Sequence, residues 1–163
     1  MSTRRDCGGL TKFEFVLTLA VIAVLVWFAL ERLQWVEEYS EMTVVDATVR
    51  NVASGLRYAM SEAIIEGREG SVGGWTGSNP ATWLAQRPAG YLGEFAGTPA
   101  AVAAGDWWFD SVQRQLCYLP KLAAHLVAGA SSGELCWRVE AAGGKGVTPA
   151  STRVVATPPY RWF

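Results

Sequence analysis

No Cys-x-x-Cys pair occurs in the chain, and its three cysteines, Cys7, Cys117 and Cys136, stand far apart. The only histidine, His125, completes no zinc-ligand set with them at a recognised spacing. Catalysis is poorly provided for as well. No serine or cysteine nucleophile has a sequence context that pairs it with His125, which reads instead as a packed or half-exposed residue of a helical stretch, Leu122-Ala123-Ala124-His125-Leu126. Gly143-Gly144-Lys145-Gly146 lacks the spacing of a phosphate-binding loop and reads as a flexible turn. Charged residues make up only 18% of the chain and the formal net charge is -1. With no stripe rich in lysine or arginine, a nucleic-acid surface is not expected. Nothing calls for a cofactor, and an enzyme is not expected.

What is present is apolar and unevenly placed. From Phe13 to Leu30 the chain reads FEFVLTLAVIAVLVWFAL, polar only at Glu14 and Thr18. About 18 residues suffice for a helix to cross a hydrocarbon layer of ~30 Å. The basic residues Arg4 and Arg5 before the run place the N-terminus in the cytoplasm by the positive-inside rule and the remainder outside it. An ordinary secretory signal would have a shorter apolar region ending in small residues. Here the run passes straight into Glu31-Arg32-Leu33-Gln34-Trp35.

Glu14 lies about one turn inside this segment, where an acid is costly and marks function by default. The plainer alternative is a boundary residue reaching the headgroups. The crossing also separates the cysteines: Cys7 stays on the reducing side, whereas Cys117 and Cys136 face an oxidising space. Those two are either bonded to each other or are two buried free thiols, and the bond is favoured. Closing a loop of roughly 20 residues, it would stabilise by about 3 kcal/mol in the chain-entropy model.

The helical pattern continues beyond the apolar run. Val45, Val49, Val52, Leu56, Met60 and Ile64 recur at intervals of three or four, and the first breakers are Gly67, Gly70 and Gly73-Gly74. One helix from Phe13 to Ile65 is expected, roughly 80 Å long at 1.5 Å per residue. Its second half is expected to lay the stripe on the chain's own sheet rather than form a coiled-coil stalk.

Residues 67–105 read as an irregular connector rich in Gly, Pro and Ala. Asn79 is placed to cap a short helical turn opened by Pro80, and Pro88 to Gly93 reads as a turn. Strands are expected at Asp106–Asp110 and Gln115–Leu119, joined by Ser111-Val112-Gln113-Arg114, then at Glu134–Val139 and Thr152–Ala156, where Pro158-Pro159 ends the pattern. The fold class is α+β: a long N-terminal helix on a small antiparallel sheet occupying 106–163.

The junction Gly9-Leu10-Thr11-Lys12-Phe13-Glu14-Phe15 resembles the cleavage motif of type IV prepilins and type II secretion pseudopilins. In that family a short basic leader ends in Gly, an apolar residue opens the mature chain, and Glu stands at its fifth place. The resemblance implies that residues 1–9 are a cytoplasmic leader removed after Gly9 by a prepilin peptidase. It also implies that the new amine on Leu10 is methylated, with Thr11 and Glu14 acting in assembly. Leu10 is a less common first residue, and Lys12 stands where the family has an apolar one.

The long helix (10–66, membrane segment about 13–30), connector and sheet also resemble the pilin fold in outline. The partners implied are sibling pilin or pseudopilin subunits, an inner-membrane assembly platform with its ATPase, and the lipid bilayer. The location implied is the bacterial inner membrane, with the C-terminal domain periplasmic, and a filament after assembly. Some secretion pseudopilins hold calcium near sheet loops, yet Asp106, Asp110 and Glu134 supply few oxygens and no calcium-loop motif, so no metal is assigned. The physical reason for Glu14 is an ion pair with the amine of a neighbouring subunit, which at low dielectric favours one register over others. The alternative from another class is an uncleaved, single-pass anchored binding protein that does not polymerise.

Overall fold

The computed structural model describes residues 11–128, 133–142 and 151–163. Gly9 and Leu10, and the glycine-rich Gly143–Gly146, lie outside the described residues. The architecture is α+β: one long helix, α1 (Lys12–Ile65), followed by a small, mostly antiparallel sheet. The chain divides into two units, Met1–Glu37 and Glu38–Phe163, each taken here by itself.

In the first unit the side chains from Phe13 to Leu30 are exposed, among them Leu17, Leu25 and Trp27. By length and composition α1 is long and apolar enough to cross a membrane, which is compatible with a single-pass anchor. Past the apolar run, the guanidinium of Arg32 lies 4.7 Å from the ring centre of Trp35.

In the second unit α1 buries Glu38, Val45, Val52, Leu56 and Ala63, with Met42 and Val49 partly buried beside them. The stripe follows the expected spacing except at its end. Ala63 is buried and Ile64 is about half exposed, because the step of three from Met60 stays on the inward face and the step of four turns away from it.

The strands are β1 (Tyr91–Phe95), β2 (Trp107–Asp110), β3 (Gln115–Tyr118), β4 (Leu126–Ala128), β5 (Leu135–Ala142), β6 (Ser151–Ala156) and β7 (Tyr160–Trp162). The main sheet runs β1-β2-β3-β5-β6, with every neighbouring pair antiparallel except β1–β2. Toward the helix it presents Trp107, Phe109, Leu116, Tyr118, Leu135 and Trp137, which with Val45 and Val52 form the main core. Aromatic contacts run through that core: Trp107 packs on Tyr118 at 4.6 Å and stacks on Trp137 at 5.5 Å between ring centres.

The opposite face is covered too. Trp108, Cys117 and Cys136 form a second buried cluster, closed by Val102 of the connector and by Leu119. That explains why all four residues of β2, and all four of β3, are buried rather than alternating.

Three elements differ from the sequence expectation. The turn expected at Pro88 to Gly93 closes early, with the Tyr91 N–H on the Pro88 carbonyl at 3.1 Å. From Tyr91 the chain is β1, which gains a parallel ladder from the otherwise free edge of β2, with an irregularity between Tyr91 and Glu94. The helical stretch expected around His125 is instead a turn leading into β4. Strand pairing also resumes after Pro158-Pro159, where β7 joins β4 in a separate two-stranded sheet. The connector otherwise holds 3-10 turns at Glu69–Trp75 and Pro80–Trp83. The second has the expected cap, with Asn79 Oδ1 accepting from the Ala81 N–H at 3.0 Å.

Candidate functional site

The start of α1 is built by Thr11 and Glu14 acting on each other. The Glu14 Oε2 atom accepts from the Thr11 backbone N–H at 2.8 Å and from its hydroxyl at 3.0 Å, while Thr11 Oγ1 accepts from the Glu14 N–H at 3.3 Å. This is a reciprocal capping box, with Thr11 in the N-cap place and Glu14 three residues on. The pattern was in the sequence as Thr-x-x-Glu and signals the helix start on its own. Both bonds from Thr11 land on Oε2, so Oε1 is left without a donor among the described residues. The Thr18 hydroxyl donates to the Glu14 carbonyl at 2.7 Å, so this polar residue is satisfied within the helix.

Cys117 and Cys136 form a disulfide. They stand directly opposite each other on β3 and β5, with Cα atoms 4.1 Å apart, and both are buried. The antiparallel register, set by the hydrophobic pairs Leu116–Trp137 and Tyr118–Leu135 on the other face, is what brings the sulfurs together.

Two further acids do work that sequence reasoning missed. Glu38 is only 2% exposed, yet its carboxylate accepts from the His125 backbone N–H at 2.8 Å and from the Trp162 indole N–H at 3.0 Å. His125 Nδ1 lies 2.8 Å from its other oxygen. One turn later, Glu41 accepts from the Tyr118 hydroxyl at 2.7 Å and from the backbone N–H groups of Lys121 and Leu122 at 2.6 and 3.0 Å. Together the two carboxylates clamp the segment between β3 and β4, and β7, onto the helix. Burial pushes the Glu38 carboxyl up, but the hydrogen bonds from His125 and Trp162 and the His125 charge outweigh it and hold the group below the usual carboxylate range. Burial, followed by the bond to Glu41 and the negative charge there, pushes the Tyr118 phenol well above its usual range.

Asp106, Asp110 and Glu134 are not brought together. Asp106 accepts from the Ala103 N–H at 2.9 Å. Asp110 Oδ1 accepts from the N–H groups of Gly97, Val112 and Gln113, fixing the β2–β3 turn. Glu134 accepts from the Thr98 hydroxyl at 3.3 Å. Among the described residues no group of three or more His, Cys, Asp or Glu could hold a metal ion. The His125 ring stacks on Phe163 at 4.7 Å and faces Glu38.

Family models, curated proteins and solved structures were each compared with the chain, and none matches.

Proposed function

We infer that this chain is a structural subunit of a filament of the type IV pilus or type II secretion pseudopilus kind. On this reading it is anchored in the inner membrane by α1, cut after Gly9 by a prepilin peptidase, and assembled with sibling subunits on a membrane platform. One observation carries the proposal: an acid, Glu14, at the start of an exposed apolar helix, five residues after a glycine that closes a short basic leader. The α+β architecture and the disulfide in the C-terminal unit support it, the latter because such a bond belongs to an oxidising compartment.

The capping box gives the acid a role before assembly as well as after. In a lone subunit Thr11 satisfies Oε2, which makes Glu14 tolerable near a membrane surface. Its negative charge remains uncompensated, and the amine of a second trimmed copy is the cation that relieves it. Desolvation makes a mismatched pair costly, so the interaction selects register more than it adds affinity.

The test is the fate of Glu14→Gln. The variant keeps an acceptor for Thr11 but loses the charge, so the leader is removed as in the parent while incorporation into filaments fails. Normal incorporation of the variant would contradict the ion pair. An intact leader on the parent chain would support the uncleaved anchored binding protein instead.

A further inference from the structure

A surface cavity of about 390 Å³ lies at the end of the β2–β3 turn, lined by Thr76, Gly77, Val112, Gln113, Arg114 and Arg138. Its lining holds two arginines and no acidic residue. Neither Arg114 nor Arg138 has an acidic partner within ion-pair distance among the described residues, where the ion pairs are Arg50–Asp46, Arg68–Glu66 and His125–Glu38. The Nε of Arg138 is in addition shut off from solvent with no hydrogen-bond acceptor. A buried donor of this kind is uncommon in folded proteins and asks for an explanation.

The cavity is held in shape by its surroundings. Asp110 Oδ1 ties down the N–H groups of Val112 and Gln113, and the Gln115 side chain donates to Gln113 Oε1 at 3.0 Å. Arg114 sits in the left-handed region at φ 54, unusual for a residue with a side chain. Gly77, itself at φ 70, gives its N–H to the Val139 carbonyl at 2.9 Å and lies so close to Arg114 that a Cβ on it would come within 2.8 Å of the arginine Cδ. A side chain at 77 would be strained by the positive φ and would displace the Arg114 stem. Arg138, on β5, borders a second cavity of about 270 Å³, where Glu134 is the nearest acid in the lining but forms no ion pair with it.

We propose that the Arg114–Arg138 cavity is an oxyanion-binding site, taking a carboxylate or phosphate group of a small ligand. Two arginines lining one concavity suit such groups, because a guanidinium offers parallel N–H donors to paired oxygens. The Gln113 side-chain amide adds a neutral donor in the lining, and the volume accommodates a ligand larger than a bare ion. Every lining residue belongs to the C-terminal unit.

The experiment titrates the isotopically labelled full chain in zwitterionic detergent micelles with citrate, and separately with inorganic phosphate, at ionic strength fixed with sodium chloride. The readout is the amide shifts of Thr76, Gly77, Gln113 and Arg114 and the Nε–H signal of Arg138. Saturable shifts confined to these groups are expected. Arg114→Asn should weaken binding about tenfold or more, the loss of one charge-assisted pair. That variant suits the left-handed backbone at position 114, so the fold is retained. Tighter binding of citrate assigns a carboxylate ligand, and tighter binding of phosphate a phosphorylated one. No saturable shift with either anion, or equal binding by Arg114→Asn, would overturn the proposal.

Discussion

The carboxylate of Glu38 and the indole N–H of Trp162 meet at 3.0 Å, joining a buried acid of the long helix to the last strand across 124 positions of sequence. With the two contacts from His125, this makes Glu38 the point where helix, loop and β7 are held together. A buried acid survives there because every donor aimed at it is satisfied by it.

Replacing Glu38 by Ala leaves the buried Trp162 indole N–H and the part-buried His125 N–H without their acceptor. Loss of about 2–4 kcal/mol is expected, since hydrogen bonds to charged groups are the stronger ones and their orphaned partners carry the desolvation penalty. Denaturant unfolding of the full chain in detergent, followed by tryptophan fluorescence, measures it. A midpoint unchanged from the parent would show that Glu38 carries no such load.

The same group sets a pH dependence. Its carboxyl lies below the usual range in the folded state, so its contribution is present above the unfolded pKa and is lost as pH falls through the folded one. The melting temperature should therefore drop more steeply in the parent than in Glu38→Gln between about pH 5 and pH 3. Parallel curves would contradict the assignment.

Glu41 and Tyr118 test whether backbone or side-chain donors dominate the second contact. Tyr118→Phe removes one donor and leaves Lys121 and Leu122 bonded, so about 1 kcal/mol is expected. Glu41→Ala strands all three donors and should cost more, about 2–3 kcal/mol. Equal losses would mean the backbone bonds contribute nothing.

Gly55 faces Trp83 where the helix meets the short Pro80–Trp83 turn, and a Cβ there would lie 2.8 Å from the Trp83 carbonyl oxygen. Alanine is the better helix former by about 1 kcal/mol. The obstacle is backbone, which yields poorly, and overpacking of this kind costs about 1–3 kcal/mol. Gly55→Ala should be neutral to destabilising, by calorimetry; a gain approaching the full propensity difference would show that the turn moves aside freely.

Much of this fold is written locally. The stripe from Val45 to Met60, the Asn79-Pro80 cap and strands β2, β3, β5 and β6 follow from periodicity and turn chemistry within a few residues. The disulfide followed from strands that place Cys117 and Cys136 side by side, although sequence left two free thiols open. Strands β1, β4 and β7 were not legible, because each exists only through a partner elsewhere: β1 through the free edge of β2, and β4 and β7 through each other. Glu38 and Glu41 look like ordinary solvated acids on a helix; their donors lie 77 or more residues away. Thr11 and Glu14 are the reverse case, since their spacing announced a capping box that the membrane setting of the acid overshadowed.

Mass spectrometry of the N-terminus of the protein isolated from its own membranes is the most direct test of a trimmed, assembling subunit. The expected result is a chain beginning at Leu10 with one added methyl group on its amine. A chain that still begins at Met1 or Ser2 would contradict it.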